Sequence, residues 1–247
     1  MSKGSGLGDQ FLIGGYDLSG EVNALGKVSG SLATFDMTPI NKSAHVRLDG
    51  LKDGAIDFTV LFDPAVGHSH PVLATLPRAD VICAYLRGGV LGNPAACEVA
   101  KQVTYDPTRG NDGMLSSAVS TVSNGFSIEW GDQLTAGLRT DTAATNGTAV
   151  DFAAATSFGF QAYLQVTAFT GTDVTVKLQD SADNSTFADL ASGAFTQTTA
   201  AHTTQRIAVG GTATVRRYVR ASTVTTGGFS SATFSVVLVK NKVAVTF

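Results

Sequence analysis

The sequence is short of the residues from which catalytic and metal sites are usually built. Its 247 residues include 2 cysteines, 4 histidines, 1 tryptophan and 3 methionines, and glutamate occurs only at Glu21, Glu98 and Glu129. Charged residues make up 15% of the chain, against about 25% in an average globular domain. Two cysteines without C-x-x-C spacing exclude a disulfide scaffold. Cys83 and Cys97 sit among apolar neighbours (VICAYL and PAACEVA), so they read as small buried core thiols made in a reducing cytosol. No stretch approaches the ~18 apolar residues of a membrane span. The opening MSKGSGLGDQFLIGG has no apolar run of signal-peptide length. These absences lead to the expectation of a soluble protein that is not secreted by the usual route and contacts no membrane.

Catalytic motifs are missing too. There is no G-x-S-x-G elbow and no H-E-x-x-H. Gly4-Ser5-Gly6-Leu7-Gly8 lacks the preceding strand of a dinucleotide site and the Lys-Ser/Thr of a phosphate loop. It reads as a flexible N-terminal arm. The expectation is a protein that is not an enzyme, carries no cofactor and holds no metal.

What is present is a hydrophobic share of 43%, enough for a core. Glycine reaches 27 of 247 residues, above the usual ~7%. Few charges and many small residues suit a surface partly consumed by contacts with copies or partners. The net charge of −3 argues against a coat for nucleic acid. That charge is uneven. Residues 1–130 hold 9 Lys+Arg against 13 Asp+Glu, and residues 131–247 hold 8 against 7.

Most of the chain alternates with period two, the mark of half-buried strands. In Ala55–Phe62, Ile56, Phe58, Val60 and Phe62 share one face while Asp57 and Thr59 share the other. Further strands are expected at 79–87, 96–105, 114–123 and 126–130, the last two as a hairpin around Asn124-Gly125. Residues 106–113 read as a turn-rich loop. Two short helices are expected, 41–48 with Asn41 as cap, and 69–76 with Ser69 as cap and Pro77 as stop. Residues 131–147 lose periodicity, which puts a domain boundary near Gly137.

Beyond it, strands are expected at 160–170, 173–180, 187–190, 205–209, 215–223 and 232–240. Their regular spacing with turn signals argues a β-sandwich. The fold class is therefore all-β, as two domains, 1–136 and 137–247.

A few residues invite chemistry. His68-x-His70 with Asp63 and Asp80 shows only half a metal-ligand set and reads as a solvent-facing pair at a helix start. Arg216, Tyr218 and Arg220 form a stripe on one strand face of the second domain, able to meet a carboxylate or a glycan. The bland reading is a solvated face that guards against edge pairing. Asn146 and Asn184 open glycosylation triplets that have no consequence without secretion.

Several stretches resemble a known family. They are Gly15-Tyr16-Asp17-Leu18-Ser19-Gly20, Ile40-Asn41-Lys42-Ser43-Ala44-His45, Leu48-Asp49-Gly50-Leu51-Lys52-Asp53-Gly54, His70-Pro71-Val72-Leu73 and Tyr105-Asp106-Pro107-Thr108-Arg109-Gly110-Asn111-Asp112-Gly113. In this order, over residues 9–135, they resemble the major tail proteins of long-tailed bacteriophages, the tail tube subunits. The second half is similar to the accessory β-sandwich of phage virion proteins, notably at Gln205-Arg206-Ile207 and Arg217-Tyr218-Val219-Arg220.

The resemblance implies a sandwich or barrel subunit with a flanking helix. It also implies hexameric rings stacked into a tube in the virion tail, assembled in the host cytoplasm. Expected partners are other copies, other tail proteins and DNA passing through the lumen without sequence-specific contact. The loops 49–54 and 106–113 become candidate ring–ring contacts, with Asp49, Asp53, Arg109, Asn111 and Asp112 as their residues. Strand alternation with an acidic balance makes Asp57 and Glu98 candidates for the channel wall. The alternative from another class is a capsid decoration or receptor- or glycan-binding module.

Overall fold

The computed structural model describes residues 5–245, so Gly4 and the start of the expected N-terminal arm lie outside the described residues. The regular structure among the described residues is almost entirely strand. The elements are β1 (Gln10–Ile13), β2 (Tyr16–Asp17), β3 (Val22–Asp36), β4 (Arg47–Leu61), α1 (Ser69–Leu73), β5 (Val81–Leu86), β6 (Pro94–Arg109), β7 (Leu115–Ser123) and β8 (Glu129–Gln133). Then come β9 (Arg139–Asp141), β10 (Val150–Asp151), β11 (Phe160–Gly171), β12 (Thr175–Ser181), β13 (Ala188–Ala194), β14 (Thr203–Val209), β15 (Tyr218–Val224) and β16 (Phe229–Lys240).

The chain divides into two compact units, and both are discontinuous. One comprises residues 1–20, 82–97 and 130–247, and the other residues 21–81 and 98–129. The contacts therefore do not divide at the single cut expected near Gly137.

In the larger unit the strands run in the order β14-β11-β16-β8-β6-β5-β1-β2, with β9 also on β16, and a second sheet runs β10-β15-β12-β13. The two sheets bury one shared core. Phe160, Leu164, Phe234 and Val236 come from the first sheet, and Val176, Leu178, Val219 and Ala221 from the second. Alternate side chains of β11, β12, β15 and β16 point into that layer, as period-two burial in a sandwich requires. Cys83 and Cys97 are buried side chains on β5 and β6.

The smaller unit is built on an antiparallel sheet in the order β3-β4-β7-β6. Ile56, Phe58 and Val60 are buried while Asp57 and Thr59 stay half-exposed, so the expected alternation holds. β4 pairs with β7 only from Ala55 to Leu61. The pairing with β3 continues outward to Asp36 opposite Arg47. Residues 31–36 and 47–53 therefore form a two-stranded ribbon that leaves the sheet.

Gly54 marks its root, where a Cβ would stand 2.8 Å from the Ile128 backbone nitrogen. Glycine is required there because another backbone approaches too closely for any side chain.

Four local expectations are corrected. Residues 41–48 are not a helix: 47–48 begin β4, and the segment before them closes the ribbon tip. The tip is held instead by strand-type bonds, with Met37 N–H donating to Val46 O at 2.8 Å. Asp36 and Thr38 add an Asx turn, Thr38 N–H donating to Asp36 Oδ1 at 3.0 Å.

Ser69 is not a cap but the first residue of α1, and its buried hydroxyl donates to Leu61 O at 2.6 Å. Residues 106–109 belong to β6, paired with β7, so the loop shrinks to a turn at 110–113. Asn124-Gly125 does turn the chain, with Gly125 at φ +78°. Its outgoing strand β8, however, pairs with β16.

Candidate functional site

The exposed large apolar side chains of the smaller unit are most concentrated on the ribbon and its tip. Leu32, Phe35, Met37, Ile40, Val46, Leu48 and Leu51 are all exposed, with Leu51 at 86% and Ile40 at 106%. Phe35 and Leu48 stand opposite each other across the two strands. A two-stranded ribbon has too little cover of its own to bury such side chains. Seven exposed apolar side chains gathered on one extended element suit an interaction surface. Both ribbon edges also leave backbone donors and acceptors available for a further strand.

The expected ring-contact residues are placed in two ways. Asp49 and Asp53 lie on β4, opposite Thr34 and Ser31, and not in a loop. The cause is the length of β3, whose strand partnership the glycine-rich sequence concealed. Asp53 Oδ1 accepts from Gly54 N–H at 2.8 Å and so fixes the ribbon root. Arg109 ends β6, while Asn111 and Asp112 occupy the exposed turn, where Met114 N–H donates to Asp112 Oδ1 at 3.0 Å.

The two channel-wall candidates separate sharply. Asp57 is half-exposed and stands between Lys27 of β3 and Ser120 of β7. Glu98 is 0% exposed, and a side chain enclosed within its own subunit cannot line a lumen. Strand parity alone had assigned it a face, but both faces of β6 are covered at that position. Burial pushes its carboxyl above the usual carboxylate range, with Asp57 and Asp53 adding to the effect and hydrogen bonds from Thr121 and the Ile56 backbone opposing it. The Thr121 hydroxyl contacts Glu98 Oε1 and lies 2.9 Å from Ile56 O, while Glu98 Oε2 has no hydrogen-bond partner among the described residues.

The histidine pair is also split by the fold. His70 turns inward, its Nδ1 2.8 Å from the Tyr105 hydroxyl and its ring 4.6 Å from that of Phe62. Asp80 pairs with Lys101 at 2.7 Å. His68 and Asp63 are brought together, and Glu21 joins them. His68 Nδ1 lies 2.5 Å from Glu21 Oε1 and 3.3 Å from Asp63 Oδ2. The hydrogen bond to Glu21, helped by Asp63, raises the imidazole's affinity for its proton. Glu21 lies more than forty positions away in sequence, so only the β3–β4 pairing could reveal it.

In the larger unit the Arg216–Tyr218–Arg220 stripe is largely engaged within the chain. Arg216 Nε donates to Asp180 Oδ1 at 2.8 Å, and its backbone N–H donates to Asp180 Oδ2. Arg220 forks onto Gln179 Oε1 at 3.0 and 2.8 Å and covers the Phe187 ring at 3.9 Å. Tyr218 lies under Arg217, 4.9 Å from its ring centre. β15 is an interior strand between β10 and β12, so the stripe guards no edge. Among the described residues no helix is long and apolar enough to cross a membrane.

No protein-family model matches the chain, and no curated protein matches it. Solved structures do. One is the crystal structure of the SPP1 Dit (gp 19.1) protein, from the hub adsorption apparatus of Gram-positive infecting phages. It is 12% identical, with 93% of this chain and 98% of that chain covered at a TM-score of 0.36. A chain of the native gene transfer agent virion is also 12% identical, covering 51% of this chain and 98% of its own at 0.41. A chain from the tail of the empty gene transfer agent particle is 13% identical, covering 52% and 97% at 0.40. Scores below 0.5 do not establish a common fold, so function has to be argued from the surfaces of this chain itself.

Proposed function

We propose that the chain is a structural protein of a phage tail, a tube subunit that forms hexameric rings stacked around a channel for the genome. The observation that carries this reading is the β3–β4 ribbon, a self-association element whose apolar side chains need a neighbouring copy to bury them. Six-fold number and stacking come from the resemblance of residues 9–135 to tail tube subunits. The low charge and the acidic balance of residues 1–130 suit a passage for DNA, which a basic wall would hold electrostatically. Asp57 is the remaining wall candidate, with the turn at 110–113 and the ribbon as ring–ring contacts. Residues up to 136 then carry assembly, and 137–247 act as an accessory sandwich. The site of action is the virion, and the partners are further copies, other tail proteins and passing DNA.

Negative-stain microscopy of the concentrated purified protein tests this. Rings with six-fold top views, or tubes, are expected. A protein that stays monomeric at high concentration, and forms no rings in its parent particles, would overturn the reading.

A further inference from the structure

The end of the β3–β4 pair away from the ribbon, where Val22 pairs with Val60, holds a cluster that this reading does not use. Glu21 immediately precedes β3, Asp63 lies two residues beyond β4, and His68 sits at the start of α1. The backbone fixes all three. Leu61 N–H donates to Glu21 O at 2.8 Å, and His70 N–H donates to Asp63 O at 3.0 Å. Ser69 Oγ accepts from Asp63 N–H at 3.0 Å while donating to Leu61 O. Ala65 N–H donates to Asp63 Oδ1 at 2.9 Å, leaving Oδ2 directed at the cluster.

One nitrogen and two carboxylate oxygens thereby lie within 4.8 Å of one another. Glu21 is only 13% exposed, and its second oxygen, Oε2, is buried without a hydrogen-bond partner among the described residues. Two carboxylates and an imidazole nitrogen gathered at a partly buried point make a donor set for a metal ion, which would take the place of the imidazole proton.

We propose that Glu21, Asp63 and His68 form a divalent transition-metal site, best matched to zinc, that clamps the start of β3 and the end of β4 to α1. A tetrahedral zinc ion with bonds of about 2.0–2.1 Å sets its ligand atoms about 3.3 Å apart. The His68 Nδ1 to Asp63 Oδ2 separation of 3.3 Å already meets that spacing. Glu21 Oε1, 2.5 Å from His68 Nδ1, has to retreat by less than 1 Å to meet it. The mixed nitrogen and oxygen donors favour zinc over calcium or magnesium, which prefer oxygen alone. His68 is half-exposed, so the fourth position opens to water.

The experiment is calorimetric titration of the chelator-treated full chain with zinc chloride, then with calcium chloride, followed by the visible spectrum with cobalt. One equivalent of zinc, a tetrahedral cobalt spectrum and a higher melting temperature are expected. Glu21→Gln and Asp63→Asn keep side-chain volume, and each should weaken zinc at least tenfold while melting cooperatively without metal. His45→Asn serves as the control, because His45 pairs with Asp36 at the ribbon tip and should leave binding unchanged. Absence of saturable binding, zinc binding unchanged from wild type in both carboxamide variants, or tighter binding of calcium than of zinc overturns the site. None of these outcomes depends on whether the protein forms rings.

Discussion

Glu98 shows how one side chain can carry an electrostatic cost that the fold tolerates. Its carboxyl is enclosed, and one oxygen finds no partner among the described residues. Thr121 has a single hydroxyl proton with two acceptors in reach, Ile56 O and Glu98 Oε1. A protonated Glu98 resolves the conflict by donating to Thr121, which then donates to Ile56. Ionisation removes that donor and leaves a desolvated charge near Asp53 and Asp57.

The folded protein therefore holds this proton above the ordinary carboxyl value of 4.5. Between that value and the raised one the native state binds more protons than the unfolded state, so stability falls as pH rises through the window. Glu98→Gln supplies a permanent donor and should flatten that fall. The expected result is a melting temperature higher than wild type at pH 7 and equal to it at pH 4. Equal melting at both pH values would show that the carboxyl ionises without cost. Glu98→Lys places an ammonium in the same enclosure and should fail to fold, so it cannot report on a channel wall.

At the scale of elements, the assembly surface and the packed sheet should respond in opposite ways to substitution. Ile40→Asp and Leu51→Lys alter exposed ribbon positions and should change stability by no more than about 0.5 kcal/mol, yet abolish rings in the microscope. Gly54→Ala, at the ribbon root, drives a Cβ against Ile128 and should cost about 1–3 kcal/mol, read by chemical denaturation. Assembly that survives both ribbon substitutions removes the ribbon from the interface.

The same contrast explains what the sequence disclosed. β4, β6, β11, β12 and β16 bury alternate or continuous apolar residues against a core, so their period was legible. β3 buries almost nothing along its length, and a strand exposed on both faces leaves no hydrophobic period to read. The segment 41–48 carried a helix cap at Asn41, but a cap without an apolar stripe has no face to pack. His68 and Asp63 were visible as neighbours in sequence. Glu21 was not, because its approach depends on Val22 pairing with Val60.

The whole molecule is divided by contacts and not by chain order, and this decides which fragments can stand alone. The larger unit takes residues 1–20, 82–97 and 130–136 from the first half of the chain. They are tied into the second half by specific bonds. Gly15 N–H donates to Gln165 Oε1 at 2.8 Å, and Gln165 Nε2 donates to Ile82 O at 2.8 Å. Leu134 N–H donates to Val236 O at 2.8 Å, and Leu134 itself belongs to the sandwich core. Every other buried member of that core lies between Phe160 and Leu238.

Truncation is therefore expected to be asymmetric. A fragment of residues 137–247 keeps both sheets of the sandwich and all but one of its core side chains, and should unfold cooperatively. A fragment of residues 1–136 loses β16 beside β8 and the Gln165 side chain that bonds Gly15 and Ile82. It should aggregate, with hydrogen exchange showing unprotected amides at 10–13 and 82–86. Protected amides in those segments, together with a sharp melting transition of the 1–136 fragment, would place an independent folding boundary at Ala136 after all.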